Sequence, residues 1–145
     1  MKENIFVSNQ VRHLIMVCKK LKEAKWNISE GEFLKYLLAN IQGHRTIVLV
    51  ALDSAKQKME GCIVLTTINS LEGIFLWIDF CWVDKHKDNL GKELLEAAEK
   101  IAKELGITRI AGRVTRGLEG AERKYGFKED YRVIAKEVVE NVKIL

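Results

Sequence analysis

At 145 residues, 48% of them hydrophobic, the chain can bury a core as one compact domain spanning 1–145. A net charge of +4, with Lys and Arg interleaved among Asp and Glu, describes solvated helix faces and argues against a dedicated nucleic-acid binder, which would mass its cations. No apolar run approaches the roughly 20 residues that span a bilayer, and the opening Met1-Lys2-Glu3-Asn4 lacks a secretory signal pattern, so the expectation is a cytoplasmic protein with no membrane partner.

Apolar residues at Val11, Leu14, Ile15, Cys18 and Leu21 follow a 3.6-residue period and predict an amphipathic helix over 11–25. Ser29 and Glu32 then make a capping box, with Ile28 and Phe33 in the positions of a hydrophobic staple, and open a second helix over 31–42. Gly43 suits the left-handed position that stops it. Residues 46–52 are β-branched and continuously apolar, as in a strand covered on both faces, and 61–68 complete a hairpin across the polar stretch 53–60. Residues 74–83, long and aromatic, predict the central strand.

Leu90, Leu94, Leu95, Ala98, Ile101, Ala102 and Leu105 recur at helical spacing until Gly106, and 107–114 return as a strand. Strand, helix and strand at this spacing imply a right-handed parallel crossover. A short helix over 115–125 and a strand over 131–138 complete a mixed α/β (α+β) fold, with a central sheet flanked by helices on both faces.

The three cysteines, Cys18, Cys62 and Cys81, lie in apolar stretches without CxxC spacing, and His13, His44 and His86 are scattered. Buried free thiols and no metal are expected. The strand that feeds the Leu90 helix does suggest a ligand. Unpaired amides and the positive end of the helix dipole converge at such a junction and favour a phosphate-bearing molecule. Two basic groups flank it: Lys85, His86, Lys87 and Lys92, and Arg109, Arg113, Arg116, Arg123 and Lys124.

The order of elements, together with residues 82–95 and 112–127, resembles the GNAT superfamily of acetyl-CoA-dependent N-acetyltransferases. In that family the central strand ends in a valine, followed by an R/Q-x-x-G-x-G/A loop whose amides hold the coenzyme A pyrophosphate. Here Val83 is the valine. Aligned on Leu94 and Leu95, Gly91 takes the last small position, Asn89 stands where the earlier glycine would be, and His86 stands at the Arg/Gln place. The resemblance therefore implies a cofactor surface of Val83, His86, Asn89, Leu90, Gly91 and Lys92, with Arg116 reaching the 3′-phosphate by charge-assisted bonds. Asn89 can adopt left-handed geometry and cap the helix, so a structural N-cap at Asp88-Asn89 is the alternative reading of the same residues.

The family's Tyr-x-x-x-Gly-Phe pattern is met by Gly126-Phe127, but Glu122 occupies the tyrosine place, leaving Tyr125 and Tyr131 as candidate general acids. An amine must be neutral to attack a thioester. Asp79, among Trp77, Ile78, Phe80 and Trp82, is the candidate base because desolvation would raise its pKa, and Glu72 is the second choice. The backbone N–H near Val83 is the usual oxyanion donor in the family. The implied function is transfer of an acetyl group from acetyl-CoA to a primary amine by direct attack. The alternative is a non-catalytic GNAT-fold module that binds coenzyme A or a protein. The chain stops soon after the 131–138 strand, so the expectation is an acceptor groove that is open, or completed by a second subunit in a homodimer, and a peptide or protein amine over an enclosed small molecule.

Overall fold

A computed structural model describes residues 4–24, 26–87, 89–112, 126–128 and 136. In chain order these form β1 (Ile5–Val7), α1 (Val11–Glu23), α2 (Glu30–Gln42), β2 (Thr46–Leu52), β3 (Met59–Ser70), β4 (Gly73–Val83), α3 (Leu90–Glu104) and β5 (Ile110–Gly112). The helix anticipated over 115–125 and the strand over 131–138 lie outside the described residues.

The strands form one sheet in the order β1-β2-β3-β4-β5, antiparallel throughout except for the parallel pair β4 and β5. The middle of the five described strands is β3; β4 lies beside it, between an antiparallel and a parallel neighbour. Alternation along each strand splits the core in two. Leu49, Ala51, Ile63, Leu65 and Leu76 pack with Leu94, Ala98 and Ile101 of α3 on one face. Val48, Val50, Cys62, Val64 and Phe80 pack with Leu14, Val17 and Leu21 of α1 and with Phe33 and Leu37 of α2 on the other. With α3 on one side and α1 and α2 on the other, helices cover both faces, as expected.

Helix α1 buries His13, Leu14, Val17, Cys18 and Leu21, whereas Val11 and Ile15 are exposed. The inward face is thus rotated from the stripe read off the sequence, because Ser8 Oγ engages His13 Nδ1 at 2.6 Å and draws that side chain inside. Ser29 caps α2 as anticipated, its Oγ accepting the Glu32 N–H at 3.1 Å. At the other end Gly43 keeps a right-handed φ of −78°, and the left-handed residue is His44 at φ 57°. Gly106 does take the left-handed position after α3, at φ 71°.

The strand read as 61–68 is longer, Met59–Ser70, so the turn to β4 shrinks to Leu71 and Glu72. Gly61 on β3 is where α3 presses closest. A Cβ there would lie 3.0 Å from Leu90 Cδ2 and from Leu94 Cδ1, so the first turn of α3 packs tightly over this glycine. No helix among the described residues is long and apolar enough to cross a membrane.

Candidate active site

The β3–β4 ladder slips once. Val64 faces Phe80 and Leu65 faces Ile78, leaving Asp79 as the extra residue of a β-bulge. A bulge re-aims a side chain. Asp79 accordingly turns to the α2 face, where Tyr36 and Thr66 meet it.

Tyr36 donates to Asp79 Oδ2 at 3.1 Å, and the Thr66 hydroxyl donates to the same oxygen. Thr66 Oγ1 in turn lies 2.8 Å from Thr46 Oγ1 and 3.0 Å from the Tyr36 hydroxyl. Thr46 and Thr66 are opposite each other in the β2–β3 register, which is why two buried hydroxyls meet there. Burial pushes the Asp79 carboxyl above the ordinary carboxylate range, against the opposing pull of the two hydroxyl donors. Oδ1 accepts no hydrogen bond among the described residues.

Glu72, the second carboxylate, sits at the β3–β4 turn, where its Oε2 accepts from Arg109 Nη1 at 2.9 Å. Arg109 also lies over the Phe75 ring, 5.3 Å from its centroid. The turn is seven residues before the bulge, at the far end of β4 from Val83, so the structure brings Asp79 but not Glu72 toward the β4–α3 junction.

At that junction Asp84 N–H donates to the Glu60 carbonyl at 2.8 Å. An antiparallel ladder alternates, so the amides of Val83 and Cys81 face the opposite edge of β4, toward β5. The pairing with β5 reaches Ile78, opposite Gly112, among the described residues. Asp84 Oδ1 accepts the His86 N–H at 3.0 Å, which holds its carboxyl below the ordinary range, and Lys87 N–H meets the Asp84 carbonyl at 3.0 Å. Lys87 Nζ reaches Glu60 at 2.7 Å, tying the loop to β3.

Helix α3 then begins. Leu90 N–H meets the Lys87 carbonyl at 3.2 Å and Glu93 N–H the Asn89 carbonyl at 3.1 Å. Between them, the amides of Gly91 and Lys92 find no acceptor among the described residues. Asn89 is right-handed (φ −100°, ψ −4°) and its side chain makes no cap hydrogen bond. Neither the left-handed turn nor the Asn89 side-chain cap anticipated from sequence is formed. Val83, His86, Asn89, Leu90, Gly91 and Lys92 nonetheless lie together at the C-terminal end of β4 and the first turn of α3. Arg116, Tyr125 and Tyr131 fall outside the described residues.

Cys18 and Cys62 are buried, as expected, but Cys81 is exposed. Although solvent reaches it, dense packing around it pushes its thiol up to about 11, so it remains a thiol near neutral pH. No group of three or more His, Cys, Asp or Glu that could hold a metal occurs among the described residues. An open hollow of about 710 Å³ runs along α3 and the start of β5, lined by Leu95, Glu99, Lys103, Thr108 and Phe127 among others. It contains none of the candidate residues that are among the described ones.

Sequence reasoning missed Tyr36, Thr66 and Thr46. Tyr36 reads as one more aromatic of an amphipathic helix, and the contacts that give it a role span 43 and 30 residues.

The sequence profile of the Acetyltransferase (GNAT) family matches residues 10–127. No curated protein sequence matches the chain. Among solved structures, the fold is similar to a predicted acetyltransferase with acetyl-CoA from Clostridium acetobutylicum, at TM-score 0.75 and 14% identity over 92% of this chain and 95% of that one. It is similar to an aminoglycoside antibiotic 6′-N-acetyltransferase from Acinetobacter baumannii, at TM-score 0.75 and 16% identity over 94% and 97%. A possible acetyltransferase from Clostridium difficile 630 superposes at TM-score 0.71 and 19% identity over 95% and 100%. At such identities the likeness concerns the fold.

Proposed function

Because the chain belongs to the acetyltransferase (GNAT) family, we propose that it is a cytoplasmic N-acetyltransferase that moves an acetyl group from acetyl-CoA to a primary amine by direct attack. The observation that carries this reading is the bulge that presents Asp79, with one carboxylate oxygen free, on the strand whose end feeds α3.

Acetyl-CoA supplies a thioester carbonyl as electrophile. Its pyrophosphate would be held at the first turn of α3, by the amides of Gly91 and Lys92 and the positive end of the helix dipole, with Val83, His86, Asn89 and Leu90 around it and Arg116 reaching the 3′-phosphate. The fit is physical: those amides have no acceptor among the described residues, and Lys92 adds a cation in the same turn. Amides of β4 facing β5 near Val83 would donate to the developing oxyanion. Asp79 accepts a proton from the substrate ammonium, and the neutral amine then forms the C–N bond as the C–S bond breaks. The nitrogen then loses its extra proton to solvent, while the departing thiolate takes a proton from Tyr125 or Tyr131 as donor or from solvent. The acceptor groove would be open, or completed by a second copy of the chain, and would suit a peptide or protein amine.

Calorimetry and thermal denaturation with acetyl-CoA test binding, and release of free thiol against a panel of aminoglycosides, polyamines and peptides tests turnover. A ligand-dependent rise in Tm with amine-dependent thiol release is the expected result. No heat and no shift at millimolar acetyl-CoA would sink the proposal.

One observation favours a second reading, a module of the same fold that binds coenzyme A or a protein partner without turnover. Asn89 replaces a loop glycine and neither turns left-handed nor caps α3. Binding without thiol release from any amine would select it.

A further inference from the structure

The hydroxyls around Asp79 can be counted proton by proton. Thr46, Thr66 and Tyr36 carry one hydroxyl hydrogen each. Thr66 spends its hydrogen on Asp79 Oδ2, and Tyr36 donates to the same atom. Thr66 then has no hydrogen left for Thr46, so the 2.8 Å contact between them must be Thr46 donating to Thr66. By the same count, the 3.0 Å approach of Tyr36 to Thr66 is the near side of a hydrogen shared with Asp79. Every hydroxyl in the cluster therefore points toward Oδ2, in the order Thr46 to Thr66 to Asp79, with Tyr36 converging from α2.

We infer that this directed network fixes Oδ1 as the proton-accepting atom of Asp79 and makes Tyr36 and Thr66 positioning residues of the site; its catalytic consequence rests on the transferase reading above. A proton placed on Oδ2 would point at one of the two donors and cost its charge-assisted bond, forcing Thr66 to turn its hydrogen toward Thr46 or Tyr36 or forcing Tyr36 to turn away. A proton placed on Oδ1 disturbs nothing. Oδ1 is also the oxygen with no donor among the described residues, so a substrate ammonium can take that place: the N–H bond breaks, the O–H bond forms on Oδ1, and the carboxylate becomes neutral while the nitrogen gains its lone pair. Thr46, which touches no carboxylate, acts by keeping the Thr66 hydrogen aimed.

Among the described groups facing Asp79, Tyr36 is the one that titrates, and burial holds its phenol above the ordinary range, so it remains a donor through neutral pH. From β3 comes the neutral Thr66. The β5 residues opposite Leu76, Trp77 and Ile78 are Ile110, Ala111 and Gly112, none of which titrates. Among the described residues, the Thr66 and Tyr36 hydroxyls are what oppose its desolvation.

The test is a carboxyl carbon-13 titration of protein labelled at aspartate, with the Asp79 signal identified by its loss in Asp79→Asn. It needs no substrate, so it decides the network even if the transferase reading fails in the binding and thiol-release assays. Tyr36→Phe and Thr66→Val each remove one donor to the ionised form and should move the Asp79 midpoint to higher pH. Thr46→Val should move it less, and Thr66→Ser should restore it. Once an acceptor amine is in hand, Tyr36→Phe should lower kcat/KM about tenfold on the acidic limb, the worth of one hydrogen bond to a charge, with little effect at higher pH. A midpoint that stays put or falls in Tyr36→Phe, in protein whose Tm shows it folded, overturns the inference.

Discussion

Ser8 Oγ and His13 Nδ1 lie 2.6 Å apart inside the protein, and the other ring nitrogen of His13 is a buried atom without a partner. Whichever group donates in that contact, a charged imidazolium would carry a second N–H with nothing to receive it. Burial, helped by the neighbouring Arg12 cation, lowers the His13 pKa below its ordinary value. The unfolded chain therefore takes up the proton more readily than the folded one, and stability falls as pH drops below about 6.5, the ordinary imidazole value. Urea midpoints should be lower at pH 5 than at pH 7.5, and His13→Leu should shrink that difference. Asp53 and Asp84, held below their ordinary range, keep their contribution above the ordinary carboxylate range and lose it only as pH falls through their folded values, so the two windows separate.

Asp79→Asn should cut kcat by about 10² to 10⁴, the range for losing a general base, while acetyl-CoA affinity stays within about twofold. In the native enzyme the acidic limb of kcat/KM should lie above the ordinary carboxylate range, because burial raises this carboxyl. The sign for stability is opposite to that of His13. A carboxyl with a raised folded pKa favours the fold when protonated and loses that contribution as pH rises through its folded value. Asp79→Asn should thus melt no lower than the native protein at pH 7. A loss of affinity equal to the loss of turnover would remove Asp79 from the chemistry.

What could be read in advance follows from where the information lies. Helices α2 and α3 and strands β2 to β4 are written in local periodicity and in a cap, Ser29 with Glu32, that needs no distant partner. The α3 start was found for the same reason: a strand end, a turn and Leu90 are contiguous. Asp79 was singled out from its aromatic neighbours, but its β-bulge depends on the register with β3. Tyr36, Thr66 and Thr46 were invisible because their roles exist only once α2, β2, β3 and β4 meet. The face of α1 was misread because an interior hydrogen bond to Ser8 made a histidine behave as a core residue.

Glu72 offers a contrast with Asp79. Its side chain is exposed and paired with Arg109 at the hairpin turn. Exposed pairs contribute roughly 0.2–1 kcal/mol. Glu72→Ala should therefore change stability by less than about 1 kcal/mol and leave kcat unaltered, as read from urea midpoints and thiol release. A fall in kcat comparable to that of Asp79→Asn would make Glu72 the base instead.

The contact between β3 and α3 should tie cofactor affinity to core packing. A methyl group added at Gly61 would sit 3.0 Å from both Leu90 Cδ2 and Leu94 Cδ1 and 3.3 Å from the Trp82 carbonyl oxygen. The leucine termini can rotate, but the Trp82 backbone is fixed in the ladder opposite Cys62. Any relief beyond leucine rotation would fall on α3, whose first turn carries the Gly91 and Lys92 amides. Overpacking of this kind costs about 1–3 kcal/mol. Gly61→Ala should lower the urea midpoint accordingly and also weaken acetyl-CoA binding measured by calorimetry at a temperature where the variant is fully folded. Gly31→Ala is the matched control: a Cβ there meets nothing within 4 Å, it lies in the first turn of α2, and it should stabilise the chain by up to about 1 kcal/mol without altering affinity. If Gly61→Ala loses stability but binds acetyl-CoA as tightly as the native protein, the α3 turn does not hold the pyrophosphate.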